Sequence, residues 1–149
     1  MKKNLLLAMS IAIFSLGCST DITDSNGKNK TKLNLDNMDS EFIITTTAKN
    51  LSDYFHVNHY IIDNSGNKLL DEGVNYKGTM TTTCKKSVMT SSYIEYSCIT
   101  HRDTKSPVGD PDDEKQTIKL YDSSTYKVIL KENSLSKDKV TEIGSITTK

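Results

Sequence analysis

Two stretches, residues 77–86 (KGTMTTTCKK) and 92–101 (SYIEYSCITH), decide the fold of this 149-residue chain. In the second stretch, apolar side chains alternate with polar ones, a period of two that places successive side chains on opposite faces of a strand. The first stretch is rich in threonine and the second in isoleucine and tyrosine, residue types that favour strands. Only a short serine-containing segment separates them. The sequence therefore predicts an antiparallel hairpin.

The two cysteines of this hairpin, Cys84 and Cys98, lie at equal distances from its midpoint at Ser91. Directly opposed residues of an antiparallel pair lie within reach of a disulfide. We therefore predict a structural disulfide, which would stabilise the fold by about 3 kcal/mol because it closes a loop of about 15 residues. A redox or metal role is the alternative, but the pair has no CxxC spacing and is too small a set for a zinc site.

Further strands are predicted on both sides of the hairpin, in short apolar or alternating stretches separated by turn residues. For the stretch 53–63 a helix is the alternative, since some apolar residues of 51–62 also fall near helical spacing. The polar stretch 100–115, which contains Arg102, Pro107 and Pro111, is predicted to be a loop. Residues 39–149 are thus expected to form a mainly β domain, a small antiparallel β-sandwich or up-and-down barrel of about seven or eight strands.

The composition limits the partners of this domain. Lysine and arginine together number 19, as do aspartate and glutamate, so the formal net charge is zero. Nucleic-acid binding, which needs a clustered basic face, is therefore not expected. Only 35% of the residues are hydrophobic, which predicts a thin core to which tyrosines contribute.

The first residues have the pattern of a secretory signal peptide. Lys2 and Lys3 precede an apolar run of about 13 residues, which is shorter than the roughly 20 residues that span a bilayer as a helix. Small residues follow, ending in Gly17 and Cys18. We therefore expect residues 1–17 to be a signal peptide.

The end of this segment, Ser15-Leu16-Gly17-Cys18, resembles the lipobox of bacterial lipoproteins, although that family usually has leucine where this chain has Ser15. The resemblance implies that Cys18 receives a diacylglyceryl group, becomes the first residue of the mature protein and is acylated again, with palmitate as a typical chain. In that family, an aspartate directly after the cysteine tends to retain the protein in the inner membrane. This chain has Ser19 at that position, so the resemblance implies an address at the outer membrane, facing the periplasm. One alternative is an ordinary signal peptide cut after Gly17, which leaves Cys18 as a plain thiol. The other is an apolar anchor that is not cleaved.

Residues 18–38 are rich in asparagine, aspartate, lysine and serine. Such a composition is typical of flexible segments that cannot bury enough apolar surface to fold. We therefore predict a lipidated, disordered tether between the membrane and the β domain.

Few residues of the domain suggest chemistry. His56 and His59 are three residues apart, so on a strand they point to opposite faces, and His101 is distant in sequence. The acidic stretch at 110–114 could supply carboxylates to calcium but lacks the EF-hand spacing. Neither a nucleophile elbow nor a phosphate-binding loop is present. We therefore expect a protein that is not an enzyme and has no cofactor and no metal site.

The sequence therefore suggests a lipoprotein anchored in the membrane through Cys18, whose β domain binds or inhibits an unidentified protein of the bacterial envelope. A structural or assembly accessory of an envelope or secretion system is one alternative. The other is a small carrier of an apolar ligand, in which Tyr93, Ile94 and Tyr96 would line the cavity.

Overall fold

The computed structural model describes residues 20–23, 31–35, 41–48, 56–75, 78–104, 113–133 and 138–149. Every regular element in these ranges is a strand, and they hold no helix long and apolar enough to cross a bilayer. The ten strands are β1 (Thr20–Thr23), β2 (Thr31–Leu35), β3 (Glu41–Ala48), β4 (His56–Ile62), β5 (Lys68–Asn75), β6 (Gly78–Met89), β7 (Tyr93–Thr104), β8 (Glu114–Tyr121), β9 (Thr125–Asn133) and β10 (Lys139–Thr148).

The strands form two sheets of five. Sheet A has the order β1-β3-β6-β7-β8 and sheet B the order β2-β10-β9-β4-β5. Two pairings, β1 with β3 and β2 with β10, are parallel, whereas the others are antiparallel. The predicted mainly β class is confirmed, and the two sheets are consistent with a small β-sandwich. The parallel edge strands make both sheets mixed, which a locally connected up-and-down order does not produce.

The segment predicted as a flexible tether contains two of the ten strands. β1 extends sheet A and β2 extends sheet B, so the prediction of disorder over residues 18–38 is wrong at Thr20–Thr23 and Thr31–Leu35. Ile22, Leu33 and Leu35 lie buried in the common core. Their burial, together with pairing to strands distant in sequence, supplies the stabilisation that the polar local composition does not indicate. The predicted signal peptide and Cys18 lie outside the described residues.

The β6–β7 hairpin confirms the predicted disulfide. Cys84 lies directly opposite Cys98, the two are bonded, and both are buried. A register shift between Lys86 and Val88 then forms a bulge in β6. Beyond it a tight turn closes the hairpin, in which the Thr90 N–H donates to the carbonyl of Tyr93 at 3.0 Å.

The core lies between the sheets and is built from alternate residues of each strand. Phe42 and Tyr96 meet edge to face near the disulfide, with ring centroids 5.0 Å apart. In β4, Val57 and Ile61 point inward, as predicted, and His59 lies on the same face. The alternative helix over 51–62 is wrong at 56–62, because these residues pair with both β5 and β9.

One end of the sandwich carries three tight turns, at residues 63–67, 90–92 and 122–124, and we call it the turn end. Hydrogen bonds join the turns at 90–92 and 122–124 to each other and to the C-terminal residues: the Asp122 N–H donates to the carbonyl of Ser92, and the Ser124 N–H to Oγ1 of Thr148, each at 3.0 Å. The opposite end, where β6 begins and β7 ends, we call the loop end.

Candidate functional site

A network of polar side chains crosses the core near the loop end and connects the two sheets. We call it the polar clasp; its members are Thr46, His59, Glu72, Thr82, Thr100, Arg102 and Gln116. All except Gln116 are buried. A buried polar group without a hydrogen-bond partner destabilises a core. A cluster of this size is therefore tolerated because its members form hydrogen bonds and ion pairs with one another.

Arg102 of sheet A is the central cation of the clasp. Its side chain is 5% exposed and forms an ion pair with Glu72 of sheet B, which is 1% exposed, and a second with Glu114 at 3.2 Å. Its Nε also donates to the carbonyl of Gly73 at 2.7 Å. Nη1 is the one guanidinium nitrogen with no hydrogen-bond partner in the described part of the chain.

Gln116 completes the connection to the edge strand β5. Its Nε2 donates to Oε1 of Glu72 at 2.6 Å and to the carbonyl of Asp71 at 3.3 Å. Arg102 and Gln116, both in sheet A, thus donate hydrogen bonds to backbone carbonyls of β5, which is an edge strand of sheet B. Covering an edge in this way limits its pairing with other chains.

His59 links the clasp to the centre of sheet A. Nδ1 lies 3.2 Å from Oγ1 of Thr46 and Nε2 lies 2.8 Å from Oγ1 of Thr82, which in turn lies 2.8 Å from Oγ1 of Thr100. Burial, and secondly the positive charge of Arg102, lower the pKa of His59 from 6.5 to about 3. The ring is therefore neutral at physiological pH.

The pKa of Glu72 is raised, first because burial disfavours its charged form and also because the Glu114 carboxylate is near, while Arg102 opposes the shift. Neither Glu72 nor His59 is accessible to a substrate, since both are almost completely buried and have protein partners. General acid–base catalysis needs the group within hydrogen-bond distance of the substrate. The geometry therefore indicates that the clasp holds the two sheets together.

Within the described residues, the other histidines and the acidic stretch do not assemble into a metal site. His56 points away from His59, as predicted, and His101 is exposed, with Nδ1 3.1 Å from Oδ1 of Asp113. Of the acidic stretch, Asp113 thus faces a histidine and Glu114 pairs with Arg102. Residues 110–112 lie outside the described residues. No group of three possible metal ligands occurs within the described ranges.

The outer surfaces of the two sheets differ in charge. Sheet B carries four ion pairs: Lys68–Asp71, Lys127–Glu142, Lys131–Asp138 and Lys139–Glu132. The centre of the outer surface of sheet A instead contains uncharged side chains, which we call the hydroxyl face: Ile43, Thr45, Thr81, Thr83, Ser97, Ile99 and Thr117. Charged residues border it, including Glu95 and Lys119 and the ion pair of Lys85 with Glu41 at 3.5 Å.

The residues proposed to line a ligand cavity do not surround a common space. Tyr96 is fully buried against Phe42, whereas Tyr93 lies on the outside of sheet A with its ring centroid 5.9 Å from that of Tyr121. Tyr93 and Ile94 border an open depression of about 240 Å³ at the turn end, to which Tyr96 does not contribute.

Sequence reasoning identified Cys84 and Cys98 but missed the polar clasp. The segment that contains Arg102 was predicted to be a loop, yet β7 continues to Thr104. The sequence contained a signal for the position of Arg102. Ile94, Tyr96 and Cys98 alternate with polar residues, and the same alternation continued along the chain places residues 100 and 102 on the inner face. The hydroxyl face was also missed, since it depends on the order of strands in the sheet.

No protein-family model, curated protein or solved structure matches this chain. The proposal below therefore rests on the residues and geometry described above.

Proposed function

We propose that this protein is a lipid-anchored envelope lipoprotein whose β-sandwich binds another protein through the hydroxyl face. The observation that carries the proposal is the contrast between the outer surfaces of the two sheets. The centres of protein interfaces are depleted in charged residues, and a polar, charged rim surrounds them. The hydroxyl face and its border have this arrangement, whereas sheet B presents ion-paired charges.

The interior of the domain supports a binding role on its outer surface. Large side chains such as Phe42 and Tyr96 fill the space between the sheets, and the clasp fixes the sheets to each other. A rigid sheet loses little conformational entropy when a partner binds, which favours affinity. Carriage of an apolar ligand has less support, because Tyr96 is used in core packing and the depression beside Tyr93 is open.

The lipid anchor in this proposal is Cys18, and its support is the lipobox-like stretch from Ser15 to Cys18. The address at the outer membrane, facing the periplasm, follows from Ser19 in the same resemblance. No catalytic activity, cofactor or metal is part of the proposal. The partner is a protein of the same compartment, and the structural or assembly role remains the alternative.

Site-specific photocrosslinking in cells tests the proposal. A photoreactive residue is placed at Thr83 in the hydroxyl face, and in a second variant at Thr147 on the outer surface of sheet B. Both positions are half-buried threonines in strands, so they form a matched pair. We expect one abundant protein adduct from Thr83 and little of it from Thr147.

A single charge then tests whether this adduct reports a specific contact. Ile99→Glu introduces a carboxylate at a side chain that is 46% exposed in the hydroxyl face. We expect this variant to fold and to lose the adduct formed from Thr83. Equal adducts from both faces, or an adduct that survives Ile99→Glu, would contradict binding through the hydroxyl face.

A further inference from the structure

The start of β1 limits where the lipid can lie relative to the domain. β1 runs parallel to β3 and places Thr20 beside Phe42, so its first residue is directed toward the turn end. Only Ser19 separates Thr20 from Cys18. Two residues span at most about 7 Å, so the Cα atom of Cys18 stays within that distance of Thr20 in any conformation. The lipid is therefore not on a long tether.

The tip of the β6–β7 hairpin extends beyond this point. Thr20 lies in register with Phe42 and, across β3, with Cys84, whereas Met89 is five residues further along β6. At about 3.3 Å per residue the tip reaches roughly 15 Å past Thr20, and so about 8 Å past a fully extended Cys18. The interfacial layer on each side of a bilayer is about 5–8 Å thick. When the acyl chains of a fully extended Cys18 enter the bilayer, the hairpin tip therefore reaches the interfacial layer as well.

The composition of the tip suits that position. Residues 87–94 (SVMTSSYI) contain no charged side chain. Val88 and Met89 are 45% and 48% exposed, and neighbouring Tyr121 is 54% exposed. Tyr121 contacts the ring of Tyr93, and the Lys119 ammonium lies 4.8 Å from the centre of the Tyr93 ring. Tyrosines occupy the headgroup level of membranes, and lysines there extend their charge to water.

We propose that the hairpin tip, residues 87–94, together with Tyr121, is a membrane-contacting surface that inserts Val88 and Met89 into the lipid interface beside the acylated Cys18. The inference rests on the lipid anchor of the proposed function. It adds a defined orientation: the turn end faces the bilayer, and the loop end faces away from it. The hydroxyl face then stands roughly perpendicular to the membrane, where a partner can reach it.

Fluorescence quenching by brominated phospholipids measures this contact directly. The chain contains no tryptophan, so one introduced tryptophan is a clean probe. Met89→Trp reports the tip. Val140→Trp, at a side chain 63% exposed near the loop end, is the matched control. Each full-length variant is purified from membranes with its native lipid and inserted into phosphatidylcholine vesicles with brominated or unbrominated acyl chains.

We expect Met89→Trp to lose fluorescence in brominated vesicles and Val140→Trp to keep it. Equal intensities of Met89→Trp in the two kinds of vesicle would overturn the proposal when mass spectrometry shows that Cys18 carries its acyl groups. An unmodified Cys18 would instead overturn the lipid anchor itself, and this inference with it. Tyr121→Trp repeats the measurement at an exposed aromatic position if Met89→Trp does not fold.

Discussion

Protonation of His59 should destabilise the domain as the pH falls. The folded state lowers the pKa of this histidine to about 3 from an unfolded value of 6.5, so the folded state prefers the neutral ring. Its contribution to stability is complete above pH 6.5 and is lost progressively between pH 6.5 and 3. Each pKa unit corresponds to about 1.4 kcal/mol, so lowering the pH from 7 to 4.5 should cost about 2–3 kcal/mol of unfolding free energy from this residue.

Urea unfolding at pH 7, 5.5 and 4.5, compared between the wild type and His59→Gln, isolates this contribution. Glutamine does not titrate and keeps polar atoms near Thr46 and Thr82. The variant should be less stable at pH 7 because its fit is poorer, and the difference should shrink by about 2–3 kcal/mol at pH 4.5. Other titrating groups are common to both proteins and cancel in the comparison. A difference that stays constant with pH would refute the reasoning that burial keeps His59 neutral.

Three further changes probe other parts of the fold. Replacing Cys84 and Cys98 by alanine should lower the unfolding free energy by about 3 kcal/mol in denaturant titrations, since it removes a cross-link over about 15 residues. Gly144→Ala should cost about 1–3 kcal/mol, because the added Cβ would lie 2.6 Å from the backbone oxygen of Thr31 in β2. Arg102→Met should cost about 3 kcal/mol at pH 7 because it leaves the Glu72 charge buried, and the cost should decrease as the pH falls, because burial raises the pKa of Glu72 and protonation removes its charge.

A control variant or a contrary result tests each of these three predictions. Reduction of the wild-type disulfide should reproduce the cysteine variant, and no change on reduction would contradict its stabilising role. Ser145→Ala, beside Gly144, should be nearly neutral, and an equally neutral Gly144→Ala would show that β2 does not pack there. A cost of Arg102→Met that does not decrease at acid pH would contradict the assignment of the buried charge to Glu72.

The parts of the fold that local pattern determines were predictable. Alternation in residues 92–101 predicts a strand, and the equal spacing of Cys84 and Cys98 from the turn predicts their bond, because a hairpin brings together residues close in sequence. β1 and β2 were missed because their stability comes from parallel pairing with distant strands. In β2 the alternation was present, with Leu33 and Leu35 separated by a polar residue, but polar neighbours on both sides concealed it.

The candidate sites could be predicted only in part. The position of His59 on the inner face of β4 follows from alternation, but its lowered pKa depends first on its complete burial between the sheets and secondly on Arg102, which lies on a strand of the other sheet. The hydroxyl face needs β3, β6, β7 and β8 to be neighbours in one sheet. Such arrangements depend on tertiary contacts, which a local pattern of residue types does not specify.

The proposed function and the proposed membrane orientation both depend on lipidation of Cys18, which the N-terminal peptide of the mature protein reveals. Mass spectrometry of the protein extracted from membranes should show a chain that begins at Cys18 and carries a diacylglyceryl group and an amide-linked acyl chain. The Cys18→Ser variant should lack both groups. A mature chain with a free thiol at Cys18, or one that retains residues 1–17, would contradict the lipid anchor and the orientation derived from it.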